Sequence, residues 1–155
     1  MIEIQGNFWD CAPKYKMIGV TTNGIVKDNG ELVMGKGIAK EFKKRFPFLP
    51  QELGERVEKS GNRPYFIPIK NQIIFSFPTK NDYREDSDID LIMKNATYLS
   101  NWIEINTSMN FLNAEDCALL TRPGCGNGNL DWELDVRPII ENIFSNRIHI
   151  IFNGE

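Results

Sequence analysis

The chain has 155 residues, 41% hydrophobic and 25% charged, with a formal net charge of −3. That is the size and composition of one soluble globular domain, which buries roughly 68–70% of its unfolded surface. The composition excludes a disordered or fibrous chain, the net acidity argues against general adhesion to nucleic acid, and no apolar run approaches the ~20 residues of a membrane span.

The first residues, MIEIQGNFWD, carry neither a basic leader nor a hydrophobic signal core, so a cytoplasmic protein with no membrane association is expected. Ile2 to Gln5 alternates apolar and polar and predicts a strand. GNFWDCAPKY is a loop, and Met17 to Thr22, more continuously apolar, predicts a buried strand. NGIVKDNGELVMGKG follows, a loop with four glycines, and a helix is predicted from about Gly37. Ile38, Phe42 and Phe46 recur every fourth residue as its buried stripe, the basic residues point away, and Pro47 and Pro50 end it.

QELGERVEKS predicts a short helix, and PYFIPI and QIIFSF predict two strands joined by a tight hairpin at KNQ. After the polar loop PTKNDYREDSD, Ser87 followed by Asp90 marks a helix start, with Ile92, Ala96, Leu99 and Ile103 as its apolar face. DCALLT is the next buried strand. TRPGCGNGNLDW, with three glycines in twelve residues, is a second glycine-rich loop. A helix led by Pro138 and a last strand, RIHIIF, complete the chain.

The order β, β, α, β, β, α, β, α, β predicts a three-layer α/β/α sandwich with a mixed, largely parallel central sheet, in one domain spanning 1–155. A monomer is the default for an acidic domain of this size. Ligands of such sheets bind at the carboxyl ends of the strands, where both glycine loops fall. Each loop leads into a helix, so backbone N–H groups and a positive helix end favour an anion, and glycine admits close approach of a diphosphate. The first loop nearly matches a P-loop through Gly30, Gly35 and Lys36, but Gly37 stands where a Ser or Thr must bind magnesium. That reading fails with it.

Other chemistries have little to work with. Cys11, Cys117 and Cys125 lack C-x-x-C spacing, so they read as reduced thiols, and no metal or cofactor is expected. The single histidine, His149, sits among strand residues and reads as a structural side chain rather than a base. Lys36, Lys40, Lys43, Lys44 and Arg45 fall within eleven residues. They form either a solvated helix face or a surface for a phosphate-bearing partner.

The ordered motifs GELVMGKGIAKEFKKRFP, FSFPTK and PGCGNGNLDW resemble the macrodomain family, in the branch holding the DarG antitoxins and the animal terminal ADP-ribose glycohydrolase. The similarity runs from QGNFWD to the final strand. It implies an ADP-ribose ligand or an ADP-ribosylated substrate. Gly6, Asn7 and Phe8 occupy the place of the family's Gly-Asp, with Asn7 instead of the aspartate that accepts from the adenine amino group. Asn23 matches the asparagine beside the distal ribose. Gly35, Lys36, Gly37 and Ile38 match the first ligand loop, and Gly124, Cys125, Gly126, Asn127, Gly128 and Asn129 the second, around the diphosphate. Phe152 is read either as a neighbour of the adenine face or as a core aromatic.

Lys80 stands at the position of the branch's catalytic lysine, although a lone lysine after a strand is ordinarily a solvated charge. Attack on the anomeric carbon would need its neutral amine, which desolvation or a neighbouring cation favours. Gly128 replaces the acid of the animal enzyme, a departure shared with DarG-type sequences. The resemblance thus implies an ADP-ribosyl hydrolase acting through Lys80, with ADP-ribosylated DNA as the leading candidate substrate. An ADP-ribose 1″-phosphate phosphatase and a non-catalytic ADP-ribose-binding module are the alternatives. DarG proteins carry a further domain, so a role in neutralising a toxin partner does not follow from the resemblance.

Overall fold

The computed structural model describes residues 1–154. Six strands form one sheet in the order β1-β6-β5-β2-β4-β3. They are β1 (Ile2–Gln5), β2 (Met17–Thr22), β3 (Phe66–Ile69), β4 (Gln72–Pro78), β5 (Ala118–Thr121) and β6 (Ile148–Phe152). All neighbours are parallel except the β3–β4 hairpin at one edge. The mixed, largely parallel sheet is the predicted one.

Alternation along the strands feeds two cores, one on each face of the sheet. Met17, Phe75, Phe77 and Leu120 pack against α4 (Ile89–Ser108) and the Trp132–Phe144 segment. Ile18, Val20, Ile74 and Leu119 pack against α1 (Phe8–Cys11), α2 (Gly37–Arg45) and α3 (Leu49–Ser60). Helices therefore cover both faces, and the carboxyl ends of the five parallel strands gather at one edge.

Three boundaries and one side-chain direction differ from the sequence expectation. Pro50 does not end a helix but lies in the first turn of α3, where its missing N–H costs nothing. The cap of α4 is Asp88, whose carboxylate accepts from the N–H groups of Asp90 and Leu91 at 2.9 and 3.3 Å; Ser87 lies just outside. The helix led by Pro138 begins earlier, as a π-helical turn at Trp132–Val136, and its α-helical part, α5 (Arg137–Ile140), is short. In α2 the basic residues do not all point away, since the Arg45 guanidinium lies 4.1 Å from the Trp9 ring centroid.

His149 is structural. On β6 its Nδ1 lies 2.7 Å from the Tyr15 hydroxyl, and burial lowers its pKa from the ordinary 6.5. Below pH 6.5 the unfolded chain therefore binds more protons there than the folded one, so the stability His149 lends is complete above about pH 6.5 and is lost as pH falls. Thermal melts between pH 7 and pH 5 should show a smaller decline in His149→Gln than in wild type; identical slopes would remove this role.

Candidate functional site

A cavity of about 690 Å³ opens at the carboxyl edge of the sheet. The loops after β1, β2, β4 and β5 and the end of β6 supply its walls. Of the residues singled out from the sequence, Gly6, Asn7, Phe8, Asn23, Gly35, Lys36, Gly37, Ile38, Lys80, Gly124, Cys125, Gly126, Asn127, Gly128 and Phe152 all line it. Asn129 does not. It takes a left-handed conformation at φ 63° and donates through its amide to Asp86 at 2.8 Å, tying the second glycine loop to the 79–88 loop.

The first glycine loop, 23–36, is built as a small hairpin, with an antiparallel bridge between Val26 and Leu32. The buried Asn23 staples it: its amide donates to the Val33 carbonyl at 2.8 Å and its oxygen accepts from Ile25 at 2.9 Å. The loop delivers the chain into α2 at Lys36, which contributes no side-chain cap. The first turn of α2 thus has no side-chain cap, and its residues Gly37, Ile38 and Ala39 line the cavity, a setting that favours an anion.

The second loop reaches the same space from β5. Gly124 and Gly126 sit at φ 81° and 71°, a region other residues enter only with strain. The loop closes in a 3-10 turn, Gly126–Gly128. At Gly37 a Cβ would stand 3.1 Å from the Asn127 amide nitrogen, so the two glycine loops nearly touch.

Lys80 follows β4. Its ammonium donates to the Asn127 carbonyl at 3.1 Å, bringing it against the second loop. The Asn62 amide holds the backbone there, donating to the Lys80 carbonyl at 2.9 Å and to Asn81 Oδ1 at 3.0 Å. Lys36, Lys80 and Arg122 stand in the cavity wall against one carboxylate, Glu41, a balance that attracts anionic ligands.

Asn7, also in the cavity wall, caps α1 through its side-chain oxygen, which accepts from the Trp9 and Asp10 N–H groups at 2.9 and 3.2 Å. An adenine amino group would compete with that cap for the same oxygen. Phe152 lies half-buried in the wall, its ring 4.1 Å from the Arg122 guanidinium, which also stands 5.1 Å from Trp132. Glu3 fixes this stack, accepting from Trp132 Nε1 at 2.8 Å and pairing with Arg122 at 3.7 Å. Sequence reasoning missed Arg122, Ser87 and Tyr83, all in the cavity wall. Arg122 alone had a signal, being next to the glycine run.

Neither sulfur nor imidazole chemistry is prepared here. Burial pushes the Cys125 thiol up to about 11, so it is protonated at neutral pH and a poor nucleophile. His149 lies outside the cavity wall. Among the described residues no cluster of His, Cys, Asp and Glu could hold a metal, and no helix is long and apolar enough to cross a membrane.

No family model and no curated protein sequence matches the chain. Solved structures do. A Thermosipho africanus DarTG structure in complex with ADP-ribose superposes with TM-score 0.74 at 22% identity, covering 96% of this chain and 40% of that one; the chain thus spans less than half of that protein. The macrodomain of Thermus aquaticus DarG superposes with TM-score 0.74 at 23% identity over 97% of this chain and 95% of that one. The macrodomain of Mycobacterium tuberculosis DarG gives 0.72 at 22%, over 97% and 95%. With the sheet order and two-sided helical cover described above, these superpositions establish that the chain has the macrodomain fold.

Proposed function

We propose that the protein binds ADP-ribose in this cavity and removes ADP-ribose from a modified target, a DNA base being the substrate that best suits its surface. The observation that carries the reading is convergence. Two glycine loops with uncapped N–H groups and one lysine, distant in sequence, meet at one cavity in a fold whose Thermosipho africanus counterpart was solved with ADP-ribose. The loops would cradle the diphosphate, as helix ends and positive-φ glycines do elsewhere. Lys80, against the second loop, would meet the terminal ribose.

The chemistry follows from a neutral Lys80 amine. Its nitrogen attacks C1″, the bond from C1″ to the base breaks, and the base leaves with the proton that the newly alkylated nitrogen gives up. Opening of the ribose ring then yields a Schiff base, which water hydrolyses to free lysine and ADP-ribose. The exposed Lys36, Lys40 and Lys44 supply positive partners for phosphates flanking a modified base. Phosphatase activity on ADP-ribose 1″-phosphate is disfavoured, because the protonated Cys125 and the remote His149 leave no nucleophile for phosphoryl transfer.

The test is incubation with an oligonucleotide carrying ADP-ribosylated thymidine and, separately, with ADP-ribose 1″-phosphate. Release of ADP-ribose from the oligonucleotide alone is expected. Turnover of only the phosphate ester would overturn the reading. Binding of ADP-ribose with neither substrate consumed would make the protein a non-catalytic module.

A further inference from the structure

Four aromatic residues stand in the cavity wall: Phe8, Trp9, Tyr83 and Phe152. Three of them are packed. Phe8 and Trp9 lie on the Phe42 ring, at centroid distances of 5.6 and 4.8 Å, and Phe152 lies against the Arg122 guanidinium. Tyr83 is 46% exposed, with only the neighbouring Arg84 guanidinium over its ring, at 5.2 Å.

That exposure does not come from a loose chain. Tyr83 is the second residue of a turn closed by the Glu85 N–H on the Asp82 carbonyl at 3.1 Å, and the Asp82 carboxylate also accepts from the Arg84 N–H at 2.9 Å. The segment is tied on either side of the turn, by the Gly24 N–H on the Asn81 carbonyl at 3.1 Å and the Ser87 N–H on the Gly128 carbonyl at 2.9 Å. A ring presented on a fixed turn loses little freedom when it meets a ligand.

Strand order says which part of a ligand it meets. Phe152 ends β6, the glycine loops leave β5 and β2, and Lys80 and Tyr83 follow β4, strands that neighbour one another in that order. At about 4.8 Å per strand, the three steps span roughly 14 Å. Aromatic rings thus come from the two ends of this row, with the anion cradle between them. ADP-ribose has a base at one end only. With adenine at Phe152 and the diphosphate between the loops, the terminal ribose would reach Lys80, and Tyr83, three residues further on, is left for the group attached to C1″.

We propose that Tyr83 is a specificity-determining residue that stacks on a planar aromatic base attached to C1″, so that the site takes a ligand with a base at each end. This rests on the ADP-ribose reading above. An ester or ether to an amino-acid side chain offers no π face to such a ring. The exposed Glu85 and Asp86 beside Tyr83 repel phosphate, so a base rather than a strand backbone suits this turn.

The test is calorimetric titration of three ligands into Lys80→Ala protein, which should not consume them, with Tyr83 intact, as Tyr83→Phe and as Tyr83→Ala. The ligands are an oligonucleotide carrying ADP-ribosylated thymidine, NAD, whose C1″ carries nicotinamide, and ADP-ribose, whose C1″ carries no base. Tyr83→Ala should bind at least one base-bearing ligand roughly tenfold more weakly, with ADP-ribose affinity unchanged, and Tyr83→Phe should match the intact protein. Loss for the oligonucleotide identifies a nucleic-acid base as the group recognised; loss confined to NAD identifies nicotinamide. An equal loss for ADP-ribose, or a loss in Tyr83→Phe, overturns the proposal. Failure of the Tyr83-intact protein to bind ADP-ribose sinks the functional reading along with it, whereas ADP-ribose binding with all three affinities indifferent to Tyr83→Ala sinks this inference alone.

Discussion

Lys80→Ala is expected to lower release of ADP-ribose from a modified oligonucleotide by on the order of 10³-fold or more, since the covalent nucleophile proposed above would have no substitute in the site. ADP-ribose affinity should stay within several-fold of wild type, because in the proposed arrangement the glycine loops, not the lysine, would enclose the diphosphate. The fold should not notice. The Lys80 ammonium makes one exposed hydrogen bond, to Asn127, and surface changes of that kind stay within about 0.5 kcal/mol. Lys80→Arg should not restore turnover, because a guanidinium does not give up its proton near neutral pH. Wild-type rates in Lys80→Ala would remove the lysine from the mechanism and leave a binding module.

The second large effect lies away from the chemistry. Gly54 is buried inside α3, where glycine to alanine ordinarily gains about 1 kcal/mol of helix propensity. The sign reverses here. A Cβ on Gly54 would overlap the Gly30 carbonyl and stand 2.9 Å from the Leu32 nitrogen. Both belong to the first glycine loop, and neither is the yielding end of a side chain. The same loop donates from Leu32 to the Pro50 carbonyl at 2.9 Å and buries the Leu32 side chain, so it cannot lift without losing both. We expect Gly54→Ala to cost about 2–3 kcal/mol, a fall in Tm of roughly 5–10 °C for a domain this size. Weaker ADP-ribose binding should follow, because this loop delivers Gly35 to Ile38. A Tm equal to or above wild type would show that the loop is not seated as described.

These two positions mark what sequence reasoning reaches. The strands were legible because burial on two faces writes continuous apolar runs at Met17–Thr22 and Gln72–Pro78, and the glycine loops because positive φ at Gly124 and Gly126 demands a residue type that is easily seen. The cavity followed, since parallel strands bring their carboxyl ends to one edge. Contacts between distant residues left no such mark. Gly54 against Gly30, Ser87 beneath Gly128, and Arg122 between Phe152 and Trp132 depend on how helices and loops settle on the sheet. No periodicity encodes that. The α4 cap lies one residue past the expected Ser87 because Ser87 and Asp88 are both competent caps, and here Asp88 caps while the Ser87 N–H is bonded to the Gly128 carbonyl. The helix expected from Pro138 starts six residues early, at Trp132, because Asp131 caps the π turn, accepting from the Leu134 N–H at 2.8 Å.

The proposed activity requires one arrangement: a diphosphate between the two glycine loops with a ribose presented to Lys80. A crystal structure with ADP-ribose tests it directly. The expected electron density places the diphosphate against the backbone of Gly35–Ile38 and Gly124–Gly128, and the terminal ribose beside Lys80. A ligand bound elsewhere, or bound in this cavity with its ribose turned away from Lys80, would contradict it.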